Sequence, residues 1–225
     1  MVSAVIVAAG RGTRMGINVD KLFMEVAGRP IIAHTWEKFD RSATINEIIL
    51  VVRDGMQPEF EQLASENGFY KEHHIVPGGA ERQDSVWNGI KAVSEGTEII
   101  AIHDGARPCV TEEIIRDCVE AAREIGAAVA ASLVTDTIKE THPNGTIAEH
   151  IDRSKLRAVQ TPQTFQADVI RKALGVVQER GIAVTDDTAA CDYINQPVKL
   201  VESTTPNIKA TSPEDIPYLE LLLKK

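Results

Sequence analysis

The sequence is most informative at first for what it lacks. No apolar run approaches the ~18 residues that a membrane-spanning helix requires, so no span is expected. The three cysteines, Cys109, Cys118 and Cys191, form no C-x-x-C pair and have no zinc spacing. So sparse and odd a set argues for reduced thiols in a cytoplasmic protein rather than a disulfide framework. Positive charge is also scarce: 33 acidic against 24 basic residues give a net charge of −9. That balance argues against a nonspecific nucleic-acid or membrane-surface binder. The first twenty residues have neither a charged leader nor an apolar core of the secretory type, so no signal peptide is expected. There is no G-x-S-x-G elbow, no H-E-x-x-H and no G-x-x-x-x-G-K-[ST] loop. The six histidines are scattered without ligand spacing. Of these, His103, beside Asp104 at a strand end, is the one candidate for a chemical role. Internal repeats, low-complexity tracts and linkers are absent as well. With 225 residues, 43% hydrophobic and 25% charged, one large α/β domain is the expectation.

The first twenty-one residues carry the strongest signal. Val2 to Val7 is an apolar run rich in β-branched residues, as in a strand buried on both faces. It leads into Ala8-Ala9-Gly10-Arg11-Gly12-Thr13-Arg14-Met15-Gly16, with Lys21 shortly after. Small residues let backbone N–H groups approach a ligand, and the cations make that ligand an anion, a string of phosphates above all. The glycine spacing, G-x-G-x-x-x-G, is not the dinucleotide fingerprint G-x-G-x-x-G. A dinucleotide-dependent oxidoreductase is therefore a weak reading.

Farther along, Leu22 to Val26 reads as extended, and a helix follows Pro30. Strands are expected at Ile48–Val52, His74–Val76, Ile99–Ile102 and Ala127–Val134. Between them, helices are expected over Met56–Asn67, Glu81–Val93 and from a Thr111 cap through Ile125. Such alternation implies a mostly parallel sheet with helices on both faces and a ligand site at the carboxyl strand ends. Three polar, glycine-bearing loops fall there: Gly10 to Lys21, Gly78 to Ser85, and Asp104 to Arg107. From Thr135 to Ile151 the pattern becomes a polar β-hairpin about Pro143-Asn144-Gly145, too polar for the core, and an arm reaching a second subunit is one reading of it. A strand-like Leu156–Gln160 follows, then a helix over Phe165–Glu179 and another capped by Thr185, with Asp186 and Asp187 in its first turn. Val198–Val201 reads as a late strand, and Ser212 to Asp215 opens a last helix.

A phosphate loop, scattered cations and one strand-end aspartate suit nucleotidyl or phosphoryl transfer, where positioning and charge stabilisation supply most of the catalysis. An attacking phosphate monoester, with a second pKa of about 6, is largely ionised at neutral pH and needs no strong general base.

Several stretches together carry a resemblance. Ala8-Ala9-Gly10-x-Gly12-x-Arg14-Met15 with Lys21 resembles the N-terminal signature of sugar-nucleotide pyrophosphorylases and related nucleotidyltransferases. Gly78-Gly79-x-Glu81-Arg82-x-x-Ser85, His103 to Pro108, Thr161-Pro162-Gln163, Thr185-Asp186-Asp187 and Asn207-Ile208-Lys209 narrow it to the 2-C-methyl-D-erythritol 4-phosphate cytidylyltransferase family of the non-mevalonate isoprenoid pathway. The resemblance implies a Rossmann-like three-layer α/β/α domain over residues 1–225, with a mostly parallel sheet and a protruding β-hairpin arm at about 135–153. It implies transfer of CMP from CTP to the sugar-alcohol phosphate, with magnesium held mainly by the CTP phosphates, protein metal ligands left open, and a homodimer formed through the arm. Arg14 and Lys21 would stabilise charge on the α-phosphate, and Ala8, Ala9, Gly10 and Gly12 would line the ribose and phosphates. Gly79 and Ser85 would read the cytosine edge, and Asp104 would touch the ribose or the acceptor. Arg153 and Lys209 would grip the acceptor phosphate, while Thr185, Arg107 and Thr137 complete its pocket. One departure is Asp20 beside Lys21, where many members of the family have proline. Ribitol 5-phosphate as acceptor, or a non-catalytic nucleotide-binding regulator on the same fold, are the alternatives; Asp104-Gly105-Ala106-Arg107-Pro108 fits the erythritol enzymes better.

Overall fold

The computed structural model describes residues 1–10 and 21–224. Strand β1 (Val2–Ala8) is followed, after a 3-10 turn at Lys21–Phe23, by the short pair β2 (Glu25–Val26) and β3 (Arg29–Pro30). Next come α1 (Ile31–Asp40), β4 (Glu47–Val52), α2 (Gln57–Asn67), β5 (His73–Pro77), α3 (Arg82–Ala92) and β6 (Ile99–Asp104). The second half contains α4 (Glu112–Ile125), β7 (Ala127–Leu133), β8 (Lys139–Thr141), β9 (Ile147–His150), β10 (Arg157–Gln166), α5 (Ala167–Glu179), β11 (Lys199–Glu202) and α6 (Asp215–Leu223). Among the described residues no helix is long and apolar enough to cross a membrane.

Seven strands form one sheet in the order β11-β7-β10-β6-β1-β4-β5. All neighbours pair in parallel except β10, which runs antiparallel to both β6 and β7. Alternation along β1 splits the core into two layers. Ala4, Ile6 and Ala8 pack with Ile31, Ile32, Trp36 and Phe39 of α1 and with buried residues of α2, α4 and α6. Val5 points the other way, with Ile49, Ile100, Ile102 and Phe165, against α3 and α5. Burial on both faces is why these strands read as unbroken apolar runs rather than alternating ones.

Helix limits follow local chemistry. Thr111 accepts a hydrogen bond from the Ile114 N–H and so caps α4, while Gly126 closes it at φ 102°. Gly68, at φ 64°, closes α2 in the same way. The hairpin at 135–151 is present as a separate two-stranded ribbon, and its residues 140–150 are all exposed.

Three expectations differ from the structure. Leu22 to Val26 is not one extended segment: Leu22 turns into the core within the 3-10 turn, and only Glu25–Val26 is extended. The strand expected over Leu156–Gln160 continues through the cis Thr161–Pro162 bond to Gln166, so α5 begins at Ala167 rather than Phe165. Phe165 is fully buried between Ile100 and Ala127, its partners on the flanking strands, and burial there prevails over helical propensity. Thr185, lastly, caps no helix. The segment forms a turn in which the Asp186 carboxylate accepts from the Ala189 N–H and the Thr188 hydroxyl, ahead of a 3-10 helix at Ala189–Ile194.

Gly89 lets α3 lie close on the sheet. A Cβ at that position would stand 2.4 Å from Val5 Cγ1 and 2.8 Å from Val51 Cγ2. Replacing a helical glycine by alanine gains about 1 kcal/mol in propensity, whereas overpacking costs about 1–3 kcal/mol. Gly89→Ala is therefore expected to destabilise the protein by about 1 kcal/mol, read as a lower urea midpoint. A raised midpoint would show that the helix layer can move outward without loss.

Candidate active site

A cleft of about 840 Å³ opens at the carboxyl ends of β1, β4, β5 and β6. Ala9, Gly10 and Lys21 line it from the loop after β1, Arg53 and Asp54 after β4, and Gly78, Gly79, Arg82 and Ser85 from β5 to α3. Asp104 closes its floor from β6, and Lys209 enters from the segment that follows β11.

Glycine is required where these loops meet. A Cβ on Gly78 would lie 2.5 Å from the Ala9 Cβ and 2.9 Å from Ser85 Oγ, so neither loop could keep its place. The Gly79 N–H donates to Ser85 Oγ at 3.0 Å, and that hydroxyl donates to the Glu81 carbonyl at 3.1 Å. Glu81 and Asp84 cap the first turn of α3 reciprocally, fixing the loop relative to the helix.

The floor is held by a second network. The Asp104 N–H donates to Thr161 Oγ1 at 3.1 Å, and Thr161 Oγ1 lies 3.0 Å from His103 Nδ1. The Arg107 carbonyl can only accept, so Nε2 carries the proton of a neutral ring and the Thr161 hydroxyl donates to the bare Nδ1. The His103 Nε2–H then donates to the Arg107 carbonyl at 3.2 Å. This network assigns a neutral ring with its proton on Nε2. Burial acts in the same direction, pushing the His103 pKa down to about 4. The late segment is stitched to the same floor: Asn207 Nδ2 donates to the Thr161 carbonyl at 2.7 Å and the Ala210 N–H to the Ala106 carbonyl at 2.8 Å. Arg107 Nη1 donates to the Asn207 carbonyl at 2.7 Å, and Lys21 Nζ to the Ala210 carbonyl at 2.9 Å.

Three cations surround the Asp104 carboxylate. Lys209 Nζ is 2.8 Å from Oδ2, Arg82 Nε 3.4 Å from Oδ1, and Arg107 Nε 3.5 Å from Oδ2. Burial works to raise the Asp104 pKa, but the charges of Lys209, Arg82 and Arg107 outweigh it and hold the carboxyl well below the usual range. Arg82 also reaches Asp187, with Nη2 2.9 Å from Oδ2. Burial pushes the Asp187 pKa up, against the pull of Arg82.

A model of the 2-C-methyl-D-erythritol 4-phosphate cytidylyltransferase family (IspD) matches residues 2–225. This chain belongs to that family. The cytidylyltransferase of that name from Alkaliphilus oremlandii is 44% identical over 224 residues, covering 99% of this chain and 94% of that protein. Its counterpart from Caldanaerobacter subterraneus is 44% identical over 229 residues, covering 100% and 99%. Among solved structures, the 4-diphosphocytidyl-2C-methyl-D-erythritol synthase of Anaerococcus prevotii matches with a TM-score of 0.88 at 29% identity, covering 100% of this chain and 96% of that one. Membership makes the chain a nucleotidyltransferase, and its mostly parallel sheet and separate hairpin match that fold.

Of the residues expected to act in this family, Ala9, Gly10, Lys21, Gly79, Ser85, Asp104 and Lys209 line the cleft. Ala8 ends β1 facing the core. Arg107 lies beneath the floor, bound to Asp104 and Asn207. Thr137, Arg153 and Thr185 are exposed and do not line the cleft of their own chain; Arg153 Nη1 donates to the Thr135 carbonyl at the root of the hairpin. Gly12, Arg14 and Asp20 lie outside the described residues. The sequence reading gave no role to Arg82, Thr161 or Arg53, and it took Asp187 for a helix first-turn acid. Arg82 and Thr161 stand inside stretches that carry the resemblance, the one signal that could have singled them out.

Burial of neutral His103 has a consequence for stability. Below pH 6.5 the unfolded chain binds a proton that the folded one refuses until about pH 4, so stability falls with pH across that window. The share lost between pH 7.5 and 5 is about 2 kcal/mol. His34, whose pKa burial also lowers, adds to the same trend. His103→Asn is expected to be less stable at pH 7.5 yet to lose less on acidification, read from urea midpoints at the two pH values. An unchanged pH dependence would show that His103 takes up its proton over the same pH range folded as unfolded.

Proposed function

We propose that this chain transfers the CMP group of CTP to 2-C-methyl-D-erythritol 4-phosphate, forming 4-diphosphocytidyl-2-C-methyl-D-erythritol and pyrophosphate in isoprenoid precursor synthesis. The observation that carries this reading is the convergence of Lys21 and Lys209, 188 positions apart in the chain, on one glycine-walled cleft, with Lys21 bound to the carbonyl next to Lys209. An acceptor phosphate oxygen attacks the α-phosphorus, the new O–P bond forming as the bond to the β-phosphate oxygen breaks. Pyrophosphate leaves with that electron pair. Lys21, with Arg14, stabilises the charge that builds on the α-phosphate, and Lys209 holds the acceptor phosphate. Gly79 and Ser85 face the base, while the walls of Ala9 and Gly10 leave room for the ribose and phosphates.

Among the described residues no group of three His, Cys, Asp or Glu side chains could hold a metal, and Asp104 is already paired with three cations. Magnesium therefore fits as an ion carried by the triphosphate, where it neutralises phosphate charge. We assign the chain to the cytoplasm as a homodimer of one-domain subunits, in which residues 135–153 form the arm. The exposure of the hairpin supports the dimer, as does the position of Thr137 and Arg153 outside their own cleft. In this arrangement each arm brings Thr137 and Arg153 toward the acceptor pocket of the other chain, which Arg107 and Thr185 complete. No observation favours ribitol phosphate or a non-catalytic regulator.

Pyrophosphate release with CTP and methylerythritol phosphate tests the reaction directly, with ribitol phosphate as the competing acceptor. Release with ribitol phosphate alone would reassign the substrate. Lys21→Ala is expected to lower kcat by about 10²-fold, the scale for losing one group that stabilises transition-state charge; a near-normal rate would remove Lys21 from that role. The crossed arm makes a separate prediction. Lys21→Ala and Arg153→Ala chains, each nearly inactive alone, should regain activity when unfolded and refolded together, because one intact cleft then meets one intact arm. No recovery in verified mixed dimers would show that Arg153 serves its own chain.

A further inference from the structure

Asp187 is hard to explain as a stabilising residue. It is fully buried, and among the described residues neither carboxylate oxygen has an aligned hydrogen bond. Its close contact is the off-axis ion pair with Arg82. Buried pairs of this kind seldom repay the cost of desolvation, and a device for orientation is a better account of them. The backbone around the pair is fixed accordingly. The Asp187 N–H donates to Gln163 Oε1 at 2.9 Å, and Gln163 Nε2 to Asp186 Oδ2 at 3.1 Å. From α3, Gln83 Oε1 accepts from the Val184 N–H at 3.1 Å, and Gln83 Nε2 donates to the Ile182 carbonyl at 3.2 Å. Arg82 is the first residue of α3, directly after the reciprocal cap of Glu81 and Asp84.

We propose that Arg82 is a positioning residue of the transfer reaction: anchored from behind by Asp187, its guanidinium holds Asp104 Oδ1 while Lys209 holds Oδ2. A planar fork can span two carboxylates, which the point charge of a lysine does not. The functional consequence runs through Lys209. An acceptor phosphate competes with Asp104 for the Lys209 ammonium, which is bound to that carboxylate at 2.8 Å. By sharing the Asp104 charge, Arg82 weakens that hold and keeps the carboxylate turned so that the ammonium faces the cleft. Without Arg82, Asp104 competes for Lys209 with less opposition, and the acceptor binds less well. The inference rests on the reading of Lys209 given above.

The test compares the unsubstituted protein with Arg82→Gln, Arg82→Lys and the double variant Arg82→Gln/Asp187→Asn, in pyrophosphate release and in thermal unfolding. Arg82→Gln strands a buried carboxylate and is expected to lower the melting midpoint by roughly 5–15 °C. It should also lower kcat/KM for the acceptor about tenfold to a hundredfold, the usual range for a group that orients a functional residue, with KM for CTP changed less than about threefold. In the double variant the midpoint should recover while the acceptor kcat/KM stays low, and Arg82→Lys should fall between. If activity returns together with the midpoint, Arg82 only supports the fold and the proposal fails. It fails also if Arg82→Gln keeps the normal acceptor kcat/KM. No release from the unsubstituted protein would instead overturn the transfer reading itself, and this inference with it.

Discussion

One carboxylate, that of Asp104, ties the site together. It ends β6 and meets a cation from the start of α3, another from the loop beneath it, and a third from the segment after β11. Each of these lies on a different element, so the ion cluster sets their relative positions as well as the local charge. The carboxylate can stay ionised despite burial because three cations oppose the desolvation. The described lining carries Lys21, Arg53, Arg82 and Lys209 against Asp54, Glu81 and Asp104, a slight positive balance in a chain of net charge −9. That concentration allows an acidic protein to take a polyanionic substrate.

The sheet explains why the carboxylate stands there. Parallel strands of one sheet end together, so β1, β4, β5 and β6 deliver their loops to one edge. The reversed β10 supplies what a parallel neighbour would not. Its irregular stretch between Val159 and Gln163 brings Thr161 across the end of β6. There the hydroxyl meets both the Asp104 N–H and His103, and the Thr161 carbonyl receives Asn207. The segment that carries Lys209 is thus fastened through a strand that runs against the rest.

Much of this was legible in the sequence because it is local. The apolar runs at Val2–Val7 and Ile99–Ile102 and the Thr111 cap each depend on a few adjacent residues, and the structure has them where expected. The resemblance carried over Lys21, Asp104 and Lys209 by motif, and these do share a cleft. What could not be read depends on distant partners. Arg82 resembles any exposed helix arginine until Asp104, 22 residues on, and Asp187, far beyond, come into reach. Asp186 and Asp187 resemble first-turn acids, yet one closes the turn ahead of a 3-10 helix and the other is buried under Arg82. Phe165 had a helical neighbourhood, but two flanking strands claimed it.

Lys209 shows how the two halves of the site depend on each other. Its ammonium faces the cleft while bound to Asp104. A lone buried carboxylate would hold it tightly; one divided among three cations releases it at a smaller cost. Lys21 is linked to the same segment through the Ala210 carbonyl, so a shift of Lys209 toward a phosphate is felt by the residue proposed to steady the α-phosphate. The sides proposed for the nucleotide and the acceptor therefore meet at a single backbone segment, Lys209–Ala210.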